Sequence, residues 1–137
     1  MILVDTSVWI DFLDGNDHWT KERLKEKINE RVSITYIDLI LLEILHGIRS
    51  EKDRRKIERY FSNFVLLNQT RISILLAAKI YQELQRKGIK IRSLIDCLIA
   101  AISIETGARI LHKDRDFDHI EKYFPITTEK YKSQQNG

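Results

Sequence analysis

Short apolar runs that read as buried strands recur along the chain between stretches of helical periodicity. Ile2 to Val4 is the first such run, and Asp5-Thr6-Ser7 then supplies cap-type residues ahead of a helical stretch from Val8 to Leu13. Asp14-Gly15-Asn16-Asp17 breaks it. From Trp19 to Glu30 only Trp19, Leu24 and Ile28 form an apolar face, which predicts an exposed amphipathic helix, and Val32 and Ile34 mark a second strand within Arg31 to Thr35. Tyr36 to Ile48 is apolar nearly all round over a length that favours a buried helix. Glu51 to Asn63 predicts a densely charged helix with Ile57, Tyr60 and Phe61, followed by Phe64, at core-facing spacing. Phe64 to Leu67 predicts a third strand, Thr70 to Lys87 a long helix stopped by Gly88, and Ser93 to Thr106 a second apolar helix stopped by Gly107. Arg109 to His112 is a fourth strand, Asp116 to Tyr123 a short helix, and Phe124 to Thr127 a candidate fifth strand. Strands joined by helical crossovers predict an α/β fold with a mostly parallel sheet of four to five strands, covered on both faces.

Four acids interrupt this pattern where acids are costly. Asp5 ends the run Ile2-Leu3-Val4, Glu43 lies inside Ile40 to Leu45, Asp96 lies inside Leu94 to Ile99, and Asp114 follows Ile110-Leu111-His112-Lys113. An ionised carboxylate in apolar surroundings costs several kcal/mol unless a cation compensates it. In open parallel sheets ligands bind beyond the carboxyl ends of the strands, where strand order reverses. Asp5 and Asp114 each follow a strand at that edge, and the apolar neighbours of Glu43 and Asp96 turn both inward, so the economical arrangement gathers all four. Oxygen-only ligation suits Mg²⁺ or Mn²⁺, and the lack of a Cys or His cluster disfavours zinc. Such a site can hold a phosphodiester and activate a water against it.

Composition adds less. The 137 residues, 43% hydrophobic and 31% charged, suit one compact domain, and with a single proline, Pro125, and no repeat or low-complexity stretch nothing marks a linker. The expectation is one domain over 1–137, with a core at 1–127 and a polar C-terminal tail at 128–137. No apolar run approaches the ~18 residues of a membrane span, and no signal peptide precedes the first strand, so a soluble cytoplasmic protein without a membrane partner is expected. The lone Cys97 sits among Leu and Ile, as a buried packing thiol would. The net charge is +3, and if four of the 20 acids are hidden in a metal pocket the remaining surface is more basic than that figure. A polyanionic partner fits.

Each acid also has a purely structural reading. Asp5 can serve as an N-cap, Glu43 can pair with a core cation, Asp96 can pair with Arg92 one turn earlier, and Asp114 can be a solvated member of Lys113-Asp114-Arg115-Asp116. Histidines 18, 46, 112 and 119 are not paired at metal-ligand spacing. The Lys52 to Arg59 run reads as a solvated helix face that can also track RNA backbone, and Trp9 as a core or dimer-seam residue.

Four segments taken together resemble a known family. Val4-Asp5-Thr6-Ser7-Val8-Trp9-Ile10, Leu42-Glu43-Ile44-Leu45-His46-Gly47 with Arg49-Ser50, Ile95-Asp96-Cys97-Leu98-Ile99-Ala100-Ala101, and Leu111-His112-Lys113-Asp114-Arg115-Asp116-Phe117 resemble, in order and spacing, the PIN-domain nucleases, and among them the VapC-type toxins of toxin–antitoxin pairs. The likeness runs from Met1 to about Phe124. It implies a three-layer α/β/α fold, an Mg²⁺- or Mn²⁺-dependent endoribonuclease with an RNA substrate, a homodimer, and a small cognate antitoxin. Carried over by position, Asp5 and Asp96 are the main metal ligands, with Glu43 and Asp114 completing the site and Asp116 behind Asp114. Thr6 or Ser7 orients a water or substrate phosphate, and Arg92 and Ser93 approach the rim. The alternatives are a PIN nuclease of RNA processing without an antitoxin, a phosphatase with Asp5 as nucleophile, which the presence of Ser7 instead of a second acid disfavours, and a non-catalytic binding module, which the four intact acids oppose.

Overall fold

The computed structural model describes residues 1–131. Seven helices and four short strands follow one another along it, in the order β1 (Ile2–Val4), α1 (Thr6–Asp14), α2 (Trp19–Asn29), β2 (Ile34–Tyr36), α3 (Asp38–His46), α4 (Glu51–Phe61), β3 (Val65–Leu66), α5 (Arg71–Arg86), α6 (Leu94–Thr106), β4 (Arg109–Leu111) and α7 (Arg115–Glu121). The sheet order is β3-β2-β1-β4, and every pair is parallel. The chain steps outward from β1 to β2 to β3 and then returns past β1 to lay down β4. Right-handed crossovers therefore place α1 to α4 on one face of the sheet and α5 and α6 on the other, which makes three layers. The reversal opens a crevice between the carboxyl ends of β1 and β4. Leu3 pairs with Ile110 and Val4 with Leu111, and one further bond, from Asp5 N–H to Leu111 O at 2.9 Å, carries the pairing to the mouth of that crevice.

Strands this short hold their place through burial on both faces. All three residues of β1 and of β2 are buried, and the β1 side chains meet Ile99, Ile102 and Ile110 in one core with Trp9, Phe61 and Phe117. Edge strand β3 is exposed. Trp9 anchors the α1 side: its ring lies 4.7 Å from Phe61, 5.3 Å from Phe64 and 5.8 Å from Phe12, tilted or edge-on, as aromatic quadrupoles prefer. Trp9 therefore belongs to the core. Helix α6 ends at Gly107, whose φ of +78° is the left-handed conformation that lets the chain turn directly into β4. Ser103 Oγ donates to Ala108 O across that turn.

Three expectations need correction. Helix α3 is not buried all round: only Ile40 and Ile44 are, Leu42 is 62% exposed, and Glu43 is exposed too. Its apolar sequence covers one face for the core and leaves another outward. Phe124 to Thr127 forms no fifth strand; a single bridge joins Ile110 to Thr128, because Pro125 cannot donate to a ladder. The alternative reading of Asp96, an ion pair with Arg92, is not seen; Arg92 meets the acids through its backbone N–H, which donates to Asp116. Thr128 is 3% exposed and Glu129 is held by Arg23 at 2.7 Å, so packed chain continues past residue 127; residues 132–137 of the expected tail lie outside the described residues.

Because Trp9 is fully enclosed by four aromatic neighbours, Trp9→Ala is expected to cost about 3–5 kcal/mol. Urea unfolding followed by circular dichroism measures this, and a loss below about 1 kcal/mol would mean that the cluster does not brace α1 against the sheet.

Candidate metal centre

Each acid reaches the crevice from a different element. Asp5 directly follows β1 and holds the N-cap position of α1, yet its carboxylate makes no capping bond; it accepts instead from Ser7 Oγ at 2.8 Å. The backbone N–H groups of Thr6 and Ser7 still offset part of the cost of its burial, so the cap position and the crevice share this carboxylate. Asp96 stands in the first turn of α6 and is 5% exposed. Asp114 ends the segment after β4 and caps α7, accepting from Asp116 N at 2.9 Å. Asp116 is 2% exposed, and its carboxylate accepts from Arg92 N at 3.0 Å and Ser93 N at 3.2 Å. Arg92 and Ser93 therefore touch the site through backbone N–H groups, while the Ser93 hydroxyl caps α6 by accepting from Ile95 N.

Asp96, Asp114 and Asp116 each offer a ligand atom, and these atoms lie within 4.8 Å of one another. Asp5 and Glu43 fall outside that tight group. Both are coupled to it by charge, since Asp5 acts on Asp96 and Glu43, and Asp114 acts on Asp5. Glu43 approaches from the exposed side of α3 rather than from the core. Between Asp114 and Asp116, left in order of preference by the sequence, the fold chooses neither: both face Asp96.

The electrostatics state what the site lacks. Burial, then the neighbouring Asp116, then the charges of Asp5 and Asp114 push the Asp96 carboxyl up to about 10, and burial above all raises Asp5. Burial and the charge of Asp5 raise Glu43, although the nearby Thr6 hydroxyl offsets part of that rise. Thr6 Oγ1 makes no hydrogen bond of acceptable geometry even so, and Asp96 Oδ2 has no partner either. Two buried oxygens without donors, aimed among carboxylates, are what a bound cation and its waters would satisfy. The donor set is all oxygen, the preference of Mg²⁺ and Mn²⁺. Cys97, buried and pushed up to about 12 by burial, supplies no thiolate.

One supporting pair was missed in the sequence. Asp11, flanked by Ile10 and Phe12, is 6% exposed and receives Lys113 Nζ, with Asn16 Nδ2 at 3.5 Å on its other oxygen. The Lys113 bond lowers the Asp11 carboxyl. The pair ties α1 to the segment that carries Asp114. Asp11 showed the same signal as the other four, an acid among apolar residues, and only its polarity-rich neighbour Asp14 obscured it.

Comparisons with known proteins bear on the family and the fold. Residues 2–123 match the PIN domain family. The chain is 36% identical over 124 residues to Ribonuclease VapC11 of Mycobacterium tuberculosis and equally to a VapC ribonuclease of Mycobacterium bovis, covering 89% of this chain and 92% of each relative. Among solved structures, VapBC2 of Rickettsia felis bound to a DNA fragment from its promoter superimposes with a TM-score of 0.73 at 17% identity, covering 96% of this chain and all of that one. VapBC-1 of nontypeable Haemophilus influenzae gives 0.73 at 18% identity, covering 94% and 97%. At those identities the two complexes speak for the fold.

A carboxyl raised by burial destabilises the fold at high pH. Unfolded, Asp96 loses its proton near its ordinary value of 3.8; folded, it keeps the proton to about 10. The stability linked to that proton is complete below about pH 4 and is lost as pH rises toward the folded value. In EDTA, Asp96→Asn should therefore raise the melting midpoint at about pH 8 on the order of 5 °C and flatten its pH dependence. Differential scanning calorimetry across that range reads this, and an unchanged midpoint would mean Asp96 is not the strained acid.

Proposed function

The chain belongs to the PIN-domain family, and on that footing we propose that it is a metal-dependent endoribonuclease and the toxin of a toxin–antitoxin pair. The observation that carries the reading is Asp96, a buried acid whose Oδ2 has no protein partner and which is crowded by two further carboxylates. Asp5 and Asp96 would hold Mg²⁺ or Mn²⁺, with Asp114 and Glu43 completing the set. Bound there, the ion supplies charge withdrawal from a phosphate oxygen and an activated water.

The chain's own residues do the positioning. Ser7 fixes the rotamer of Asp5 by donating to it, and Thr6 presents an unused hydroxyl to a water or a substrate oxygen. Asp116 grips the Arg92–Ser93 backbone and so sets where α6 begins, and hence where Asp96 stands. The Arg92 side chain is exposed at the rim, where a cation can meet substrate phosphate.

The toxin assignment draws on the relatives, which are VapC ribonucleases, and on structural neighbours that are toxin–antitoxin complexes. A cleft of about 610 Å³ runs from Glu43 between α1, α3 and α4, with Ile10, Leu13, Ile44, Ile48 and Ile57 along it. A short antitoxin segment with apolar anchors fits such a groove, and an Arg in it would form bidentate bonds with the acids. Ile72 and Leu75, a turn apart on α5, are 67% and 61% exposed, the kind of apolar surface a second copy covers in a homodimer.

Cleavage of a panel of structured RNAs with Mg²⁺, Mn²⁺ or EDTA tests the chemistry. Cutting is expected with either ion and not with EDTA, and Asp5→Asn, Asp96→Asn and Glu43→Gln should each reduce it by at least about 100-fold. Full activity in a folded Asp96→Asn protein overturns the assignment. Glu43→Gln keeps volume and removes charge, so unchanged cleavage would reduce Glu43 to a helix-surface residue.

The biological role has its own test. Expression alone should arrest growth, and co-expression with a small adjacent upstream gene should restore it, dependent on a basic residue in that partner's tail. Harmless expression of a protein that cuts RNA in vitro would replace the toxin reading by an RNA-processing nuclease.

A further inference from the structure

A second, smaller cleft of about 240 Å³ opens beside the acids and is used by nothing described above. Its walls are His18 and Trp19 at the start of α2, His112 and Lys113 just before Asp114, and Lys130 and Tyr131. It lies against the metal centre, since the His112 ring takes a hydrogen bond from the Asp114 backbone N–H at 3.2 Å.

The chemistry of these walls is specific. His112 Nδ1 accepts from Asp114 N, and His18 Nδ1 accepts from Thr20 N at 3.2 Å. An acceptor nitrogen carries no proton, so both imidazoles are neutral and keep their proton on Nε2. Each leaves one uncharged N–H donor; that of His112 is 4.0 Å from Asp118, which also lines the cleft. The charged groups are already engaged: Lys113 is held by Asp11, Lys130 by Glu121, and Glu129 by Arg23 and Arg109. Among the described residues no surplus positive charge waits there for a phosphate. The aromatic groups are only partly used. Trp19 has the Arg23 guanidinium 5.6 Å from its ring centre and Tyr131 at 5.7 Å, whereas Tyr131 itself is 64% exposed.

A ligand pocket for a whole small molecule spans about 300–1,000 Å³, so this volume suits a single ring system. Neutral donors, a carboxylate acceptor and an open aromatic face fit an uncharged planar ring with a hydrogen-bonding edge. We propose that the cleft is a base-binding slot, which holds one nucleobase of a single-stranded RNA beside the scissile phosphate. The proposal rests on the ribonuclease reading for its ligand, and it adds that the base stacks on Tyr131 and presents its edge to His18 and His112. Stacking of this kind is sequence-tolerant and contributes affinity base by base.

The test uses the full chain carrying Asp96→Asn, so that RNA survives the measurement, and titrates it with a uridine decamer and with decamers bearing one abasic residue at successive positions. Tyr131→Ala in this background is expected to weaken decamer binding about tenfold, in line with the loss of one stacked base, and Tyr131→Phe to retain it. One abasic position should weaken binding by a similar factor, with no further loss when combined with Tyr131→Ala. Tyr131 is exposed, so its truncation does not threaten the fold; Trp19→Ala adds a second probe of the same wall. Equal affinity for all variants, or losses that simply multiply with every abasic position, would overturn the slot. Cleavage by the unmodified protein with Mn²⁺ is scored separately: aromatic-dependent, base-dependent binding by a protein that cuts no RNA would support the slot and remove the ribonuclease reading.

Discussion

Crowding of like charge at the carboxyl edge of β1 and β4 is the constraint around which the rest is arranged. Asp96, Asp114 and Asp116 place ligand atoms within 4.8 Å of one another in a buried setting, with Asp5 adding its charge from the neighbouring strand end. Two carboxylates that close cannot both ionise without compensation. The fold therefore has two ways to exist, with protons held among the acids or with a cation between them. Nothing in the packing of Ile99, Ile102 and Ile110 requires this arrangement; hydrophobic groups of the same volume would be more stable there.

Holding mutually repelling groups together needs rigid attachments, and the chain supplies them from the backbone outward. Asp5 is fixed by the last bond of the β1–β4 ladder, Asp116 by two N–H groups of the turn before α6, and Asp114 by its cap on α7. The Asp11–Lys113 pair clamps the remaining free segment. Removing either partner would leave a buried charge or a loosened loop, and either change moves Asp114 by a distance that matters when ligand positions are set to within tenths of an ångström.

Much of this was legible in the sequence, and for a physical reason. Strands buried on both faces must be continuous apolar runs, so β1, β2 and β4 announced themselves, and the glycines after α1 and α6 marked helix ends through the backbone freedom those turns need. The acids stood out because apolar neighbours make a carboxylate expensive. The failures share one cause. Periodicity reports how apolar a segment is, and not which neighbour it meets. Helix α3 looked buried all round, yet its Leu42 faces outward; Phe124 to Thr127 looked like a strand, yet Pro125 leaves it one bridge. The role of Asp116 was equally hidden, since its partners are backbone N–H groups more than twenty residues away and no side-chain pattern encodes them.

The strand order carries a consequence in time. Chains grow from the amino end, so β1, β2 and β3 with their helices are made before β4 exists. The crevice is completed later. Its second wall is β4, which inserts beside β1 only after residues 109–111 are made, and the closing bond from Asp5 reaches Leu111 across more than a hundred positions. Until then Asp5 and Glu43 stand without Asp114 and Asp116. The assembled crevice therefore appears only in the step that adds β4.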